Sequence, residues 1–140
     1  MFNDMSYGVT PDQLIKAMKG EADAQAYYRR LVTMTHNPKE EEIIRKIFED
    51  EIKHFNTFQM IFRMITGYDC VLPTMTTPVI SSYFEGVGKA IMDELQTYEY
   101  YRDIYLNSAN NSIMNAFFQA FTDENEHAAY LNYILTTNKR

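Results

Sequence analysis

The pattern Glu-x-x-His occurs twice in the chain, as Glu51 with His54 and as Glu124 with His127. Side chains three residues apart on a helix point the same way, so each pair presents a carboxylate beside an imidazole. Both pairs lie in stretches whose apolar residues recur at helical spacing, which predicts that they face the core. A buried charge without a partner costs several kcal/mol. A bound metal ion is the simplest compensation.

The two motifs are part of an internal duplication with an offset of 73 residues, the separation of Glu51 from Glu124. The same offset relates Glu21 to Glu94, Tyr28 to Tyr101, and Asp50 to Asp123. Similarity at a fixed offset indicates repeated structural units. The sequence therefore predicts two helical hairpins of one design, each with a Glu on its first helix and Glu-x-x-His on its second.

Capping signals set the predicted boundaries of one domain over residues 1–140. Thr10 and Pro11 start the first helix, which we expect to end near His36, and Asn37 and Pro38 start the second. The predicted hairpins are 11–66 and 83–136, the connection is 67–82, and residues 1–9 form a loose arm.

The connection is long enough to run the length of a bundle. Helices of about 26 residues are roughly 39 Å long, and about 12 extended residues cover that distance. One long crossover is a known topology of four-helix bundles. We expect it to start the second hairpin at the end of the bundle where the first hairpin began.

The four glutamates lie at nearly equal distances from the turns of their hairpins, which predicts that all the motif side chains meet at one level. Four carboxylates offset the charge of two divalent cations, and each imidazole adds one nitrogen ligand. A carboxylate-rich site with some imidazole and no thiolate suits iron or manganese better than structural zinc.

This pattern resembles the ferritin-like di-iron carboxylate superfamily, in which two helices give a Glu each and two give Glu-x-x-His. It is most similar to the rubrerythrin and bacterioferritin branches. The resemblance implies an all-α, ferritin-like four-helix bundle holding two iron ions. It also implies terminal carboxylates from Glu21 and Glu94, bridging carboxylates from Glu51 and Glu124, and terminal nitrogens from His54 and His127.

The chain departs from these relatives in several places. Thr97 stands where rubrerythrins have an additional Glu, and the single Cys70 excludes an appended four-Cys rubredoxin domain. Ile52 replaces the Met through which bacterioferritins bind haem, so no haem is expected. Residues 137–140 are too short for the fifth helix of ferritin cages, which disfavours a storage cage.

Four residues beside the predicted ligands have two interpretations each. Tyr28 and Tyr101 either donate hydrogen bonds to the carboxylates or are core aromatics with another hydroxyl partner. Asp50 and Asp123 either orient the histidine of the opposite hairpin or are helix-surface charges.

Charge and hydropathy limit the class of protein. A net charge of −6 and scattered basic residues argue against a nucleic-acid partner. Without a signal core or a transmembrane run, a cytoplasmic protein that does not enter the membrane is the expectation.

The expected function is that of a non-haem di-iron oxidoreductase, ferroxidase-like or peroxidase-like, that reacts with O₂ or hydrogen peroxide under oxidative stress. It would act as a homodimer with an unidentified external electron donor. The alternatives are a manganese-catalase-like enzyme with two manganese ions, an iron-binding or storage protein, and a purely structural bundle with a buried Glu/His network.

Overall fold

The computed structural model describes residues 7–138, which form four α-helices and contain no strand. The helices are α1 (Pro11–Leu31), α2 (Pro38–Thr66), α3 (Tyr83–Asn107) and α4 (Asn111–Thr137). The pairs α1/α2 and α3/α4 are hairpins, and an irregular crossover joins them. The predicted all-α bundle of two duplicated hairpins is confirmed. No helix within the described range is long and apolar enough to cross a membrane.

Side-chain caps begin each helix. Thr10 and Gln13 form a reciprocal capping box on α1, and Asn37, Ser82 and Asn110 accept backbone hydrogen bonds at the starts of the other three helices. Gly67 ends α2 in the left-handed conformation, at φ 85°. These caps supply partners for backbone groups that a helix leaves unpaired at its ends.

The first helix ends earlier than predicted, because Leu31 is followed by a 3₁₀ turn, Val32–Met34. Thr35 is then extended, and its hydroxyl accepts the backbone N–H of Asn37. This bend brings Asn37 into position to cap α2. The residues after Leu31, which the sequence assigned to α1, therefore form the turn between the two helices.

The direction of the second hairpin was predicted wrongly. Tyr27, near the end of α1, donates a hydrogen bond to the Gly86 carbonyl in the first turn of α3. Tyr100, in the second half of α3, donates to the Gln13 carbonyl at the start of α1. Helices α1 and α3 are therefore antiparallel. Because α2 has already returned the chain to its starting end, a full-length crossover delivers α3 to the opposite end.

The predicted loose arm is packed where it can be described. Val9 is buried in the core, and the Ser108 hydroxyl donates to the Tyr7 carbonyl. Gly8 has φ 72°, and a Cβ there would collide with the backbone of Ser108. Residues 1–6 of the predicted arm lie outside the described residues.

The apolar core consists of two clusters separated by a polar layer. One contains Leu14, Met18, Phe58, Phe62 and Phe117 among others. The other contains Leu31, Ile44, Ile47, Leu131 and Ile134 among others. The six predicted ligands occupy the helix positions between them, so the apolar packing of both halves encloses the polar layer.

Two glycines inside helices predict opposite responses to the same substitution. A Cβ at Gly86 would lie 2.7 Å from Ile80 Cγ2, whereas a Cβ at Gly20 would meet nothing within 4 Å. We expect Gly86→Ala to lower the free energy of unfolding by about 1–3 kcal/mol through overpacking. We expect Gly20→Ala to raise it by about 0.5–1 kcal/mol through helix propensity. Urea unfolding of both variants measures this, and equal shifts of the same sign would contradict the packing at Gly86.

Candidate metal centre

The structure brings all six predicted ligands together at one level of the bundle. Helices α1 and α3 each supply one glutamate, and α2 and α4 each supply a Glu-x-x-His pair. Their residue exposures lie between 1% and 5%. The residues are Glu21, Glu51, His54, Glu94, Glu124 and His127. Burial at this depth removes the water that would otherwise solvate four carboxylates and two imidazoles.

The ligand atoms form two overlapping groups, each of which could hold a metal ion. One group is Glu21, Glu51, His54 and Glu124, and the other is Glu51, Glu94, Glu124 and His127. Within each group, one possible ligand atom per residue lies within 4.8 Å of the others. Glu51 and Glu124 belong to both groups. The carboxylates that the resemblance assigned as bridges therefore occupy the shared positions.

Each of the six residues has one buried polar atom without a hydrogen-bond partner. These atoms are Glu21 Oε2, Glu51 Oε1, His54 Nδ1, Glu94 Oε2, Glu124 Oε1 and His127 Nδ1. No other fully buried side-chain nitrogen or oxygen in the described part of the chain lacks a partner. An unpaired buried polar group costs about 1–3 kcal/mol. Six of them around one space is the arrangement that a bound cation would satisfy.

A buried carboxylate elsewhere in the bundle shows the contrast. Glu40 is 5% exposed, but its carboxylate accepts hydrogen bonds from Thr35, Tyr83 and Asn138. It joins the turn after α1 to the start of α3 and the end of α4. Hydrogen bonds of this kind stabilise a buried polar group. At the six-residue site one atom of each side chain lacks such a bond, which favours metal binding over a purely structural network.

Each histidine is held by an aspartate from the opposite hairpin. His54 Nε2 lies 2.7 Å from Asp123 Oδ2, and His127 Nε2 lies 2.8 Å from Asp50 Oδ2. A carboxylate there accepts the Nε2 proton, which leaves Nδ1 facing the cluster. For both aspartates this contact matches the first interpretation of the sequence, in which the carboxylate orients the histidine of the opposite hairpin.

The tyrosines also cross between hairpins. Tyr28 donates to Glu94 Oε1 and Tyr101 donates to Glu21 Oε1, both at 2.5 Å. Each bond engages one carboxylate oxygen and leaves Oε2 without a partner. The hydrogen bond therefore restricts how the carboxylate can rotate and directs its second oxygen to the cluster.

Burial and neighbouring charges set the pKa values of the glutamates. Burial raises the pKa of Glu21 to about 8, and the charge of Glu51 adds to the effect. The same two causes raise the pKa of Glu124 well above its usual range. Burial would also raise the pKa of Glu51, but His127 and His54 outweigh it and lower that pKa.

The histidine pKa values are shifted upwards despite burial. Burial alone would lower them, but the adjacent carboxylates raise the pKa of His54 to about 12 and that of His127 to about 11. Asp123 contributes most to the first shift and Asp50 to the second. Below these pKa values protons occupy the cluster without metal. A metal ion must displace them, so metal affinity rises with pH.

Two residues that the sequence reasoning missed support the aspartates. Lys46 Nζ lies 3.3 Å from Asp50 Oδ2 and 3.2 Å from Glu126 Oε1. Gln119, which the 73-residue offset pairs with Lys46, donates to Asp123 Oδ1 at 3.0 Å. Each precedes its aspartate by four residues, so the duplication carried the signal that could have identified them.

The bundle and its Glu/His cluster define the fold as ferritin-like, with a candidate metal centre. A two-domain protein of Anabaena variabilis with DJ-1/ThiJ/PfpI-like and ferritin-like domains superposes with a TM-score of 0.72 at 9% identity, over 91% of this chain and 36% of that one. The conserved hypothetical protein rv2844 of Mycobacterium tuberculosis gives 0.72 at 13% identity, over 88% and 94%.

Sequence similarity identifies the family more narrowly. The chain is 30% identical to the uncharacterized protein YhjR of Bacillus subtilis over 122 residues, which cover 87% of this chain and 83% of that protein. No family model matches the chain. This chain belongs to the same family as YhjR.

The aspartate contacts predict a specific loss of metal affinity. We expect Asp123→Asn to weaken binding of ferrous iron about 10- to 100-fold, because outer partners of histidine ligands contribute that much to affinity. Asp50→Asn should have a similar effect through His127. Titration calorimetry without oxygen measures both. Glu126→Gln is the matched control because Glu126 contacts Lys46 but neither histidine. Wild-type affinity in both aspartate variants would contradict the orienting role.

Proposed function

We propose that this protein is a non-haem di-iron oxidoreductase that reacts with O₂ or hydrogen peroxide, as a rubrerythrin-like ferroxidase or peroxidase. The observation that carries the proposal is the set of six buried atoms without partners, one from each predicted ligand. They fall into two groups that share Glu51 and Glu124. Two cations with two common carboxylates would satisfy all six.

The donor set suits iron or manganese, because carboxylate and imidazole are ligands of both and the cluster contains no thiolate. We propose iron because the six-residue pattern resembles that of di-iron carboxylate proteins. Four carboxylates balance two divalent charges, so both ions could be buried without a net charge. Two iron ions bound there would supply two electrons to one molecule of O₂ or peroxide, as paired metal sites allow.

The side chains of the chain itself would hold the site in shape and keep one side of it dry. Glu51 and Glu124 would connect the two groups, while the aspartates and tyrosines would keep each terminal ligand in one orientation. Phe58 and Phe117, which stack at 4.8 Å between ring centroids, are fully buried on one side of the cluster. Such packing excludes water, which strengthens electrostatic interactions within the site.

Two tyrosine hydroxyls beside the ligands hold the terminal carboxylates in place. The Tyr28 and Tyr101 hydroxyls are hydrogen-bonded to Glu94 and Glu21. Burial, followed by the adjacent carboxylates, raises the pKa of both tyrosines well above their usual range. Both hydroxyls therefore stay protonated at neutral pH, and we assign them the role of hydrogen-bond donors that keep the carboxylates in place.

Stopped-flow oxidation of the ferrous-loaded protein tests the proposal. We expect oxidation by O₂ or peroxide at least tenfold faster than that of the same concentration of free ferrous iron, with two irons per chain. Glu51→Ala should lose both irons because both groups use Glu51. Glu21→Ala should lose one, and Glu126→Gln should retain both. Oxidation no faster than free iron, with either oxidant, would end the proposal.

The same preparation separates the two alternative functions. Manganese in the protein as purified, with oxygen evolved from peroxide, would replace the iron enzyme with a manganese-catalase-like one. A shell of many subunits with an iron load far above two per chain would favour storage. We propose a homodimer, so light scattering should give twice the chain mass of 16.5 kDa.

A further inference from the structure

Two cavities lead from the surface towards the Glu/His layer on different sides of the bundle. A slot between α1 and α3 has a volume of about 600 Å³, and Met75, Thr76 and Pro78 of the crossover also line it. A second cavity of about 630 Å³ lies between α2 and α4. Because the two volumes are similar, the side chains along each cavity determine what can pass through it.

The slot reaches ligand atoms that have no hydrogen-bond partner. Its inner end is formed by the four ligand glutamates, each with one such buried oxygen: Glu21, Glu51, Glu94 and Glu124. The cavity between α2 and α4 reaches His54 instead, whose Nε2 lies 2.7 Å from Asp123 Oδ2. The atom of His54 without a partner is Nδ1, on the other side of the ring. A metal ion in the slot would therefore meet open ligand atoms, and one in the other cavity would meet an occupied Asp/His pair.

Two further carboxylates line the slot at the protein surface. The side chains of Asp23 and Asp93 are 50% and 54% exposed, and neither is one of the six ligands. Lys19 Nζ lies 3.1 Å from Asp23 Oδ2, and Lys89 Nζ lies 2.6 Å from Asp93 Oδ2. Exposed pairs of this kind, four residues apart on a helix, contribute little to stability. A divalent cation can therefore displace either lysine at little cost.

Carboxylates outnumber lysines along the slot. Six carboxylates and two lysines line it, a formal charge of −4, whereas three carboxylates and two lysines line the cavity between α2 and α4. Without metal, the raised pKa values of Glu21 and Glu124 favour their protonated forms, and the lining of the slot then keeps a charge of −2. A cleft lined by one sign of charge concentrates ions of the opposite sign. The slot is therefore the more attractive path for a cation.

We propose that divalent metal ions enter the centre through the slot between α1 and α3, and that Asp23 and Asp93 are the first carboxylates they contact. An arriving ion displaces the lysine ammonium at one aspartate and moves inward to the terminal glutamate of the same helix. Asp93 adjoins Glu94 and Asp23 follows Glu21 by two residues, so each transfer begins within about one helical turn of a ligand. The proposal rests on metal binding in the proposed function but not on oxidation by O₂ or peroxide.

Cobalt(II) is the probe, because carboxylate and imidazole bind it and its visible absorption changes on binding. Stopped-flow absorbance of metal-free protein at low ionic strength measures the association rate. We expect Asp93→Asn to slow association about three- to tenfold, and its combination with Asp23→Asn to slow it about tenfold or more, because charges that attract the cation are lost. High salt should reduce both effects, since it screens exposed charges. Glu126→Gln is the matched control and should leave the rate unchanged, because the side chain of Glu126 is 49% exposed, pairs with Lys46 and lines the other cavity.

A narrowed slot gives a second, independent test. Gly20 lines the slot, and a Cβ there would meet nothing within 4 Å. Gly20→Leu should therefore slow cobalt association and its release to a chelator by the same factor, because an obstruction raises the barrier in both directions and leaves the bound state unchanged. The affinity should stay that of the wild type. Asn115→Leu is the control, since Asn115 is an exposed residue of the cavity between α2 and α4, and both rates should be unchanged.

Several results would overturn the entry route. Association at the wild-type rate in both the double aspartate variant and Gly20→Leu would remove the slot from the path. Slowing by Glu126→Gln and Asn115→Leu instead would place the path between α2 and α4. Cobalt entry through the slot without rapid ferrous oxidation would preserve the route and end the oxidoreductase function, and rapid oxidation with rates that the slot variants leave unchanged would do the reverse. Failure of the protein to bind cobalt or iron at all would end both.

Discussion

The central constraint on this structure is a layer of six buried ligand atoms that lack a well-oriented hydrogen bond. Within the layer His54 Nδ1 lies 3.1 Å from Glu124 Oε1 and His127 Nδ1 lies 3.3 Å from Glu51 Oε1, so these atoms face one another. Elsewhere in the described bundle, buried polar side chains such as Glu40 have hydrogen-bond partners. At the Glu/His layer, each of the six ligands keeps one atom unpaired and directed towards a common space. Buried groups without hydrogen bonds oppose folding, and bound cations would relieve that cost. Two cations would do so, each bound by one terminal glutamate, one histidine and the two shared glutamates.

The contacts that orient the ligands cross between the hairpins. Asp50 holds the histidine of α4, and Asp123 holds the histidine of α2. Tyr28 and Tyr101 likewise reach the glutamate of the other first helix. Neither hairpin can therefore form its half of the centre alone. The duplication therefore applies to the site as well as to the fold. Each hairpin supplies the aspartate and the tyrosine that hold ligands of the other hairpin.

The duplicated pattern was sufficient to predict the four helices and the six residues that meet, because helical spacing and a fixed offset determine faces and levels. Other features depended on information that periodicity lacks. The antiparallel arrangement of α1 and α3 follows from the return path of α2, and the packing of Val9 depends on contacts with residues far along the chain. Lys46 and Gln119 were visible only as polar surface positions.

Anomalous diffraction from crystals of the metal-loaded protein, recorded across the iron and manganese edges, would locate and identify the bound ions. We expect two strong peaks per chain at the iron edge. One should lie among Glu21, His54 and the shared glutamates, and the other among Glu94, His127 and the same glutamates. Fully loaded crystals with no peak within this layer, or with the six side chains paired to one another around water, would contradict it.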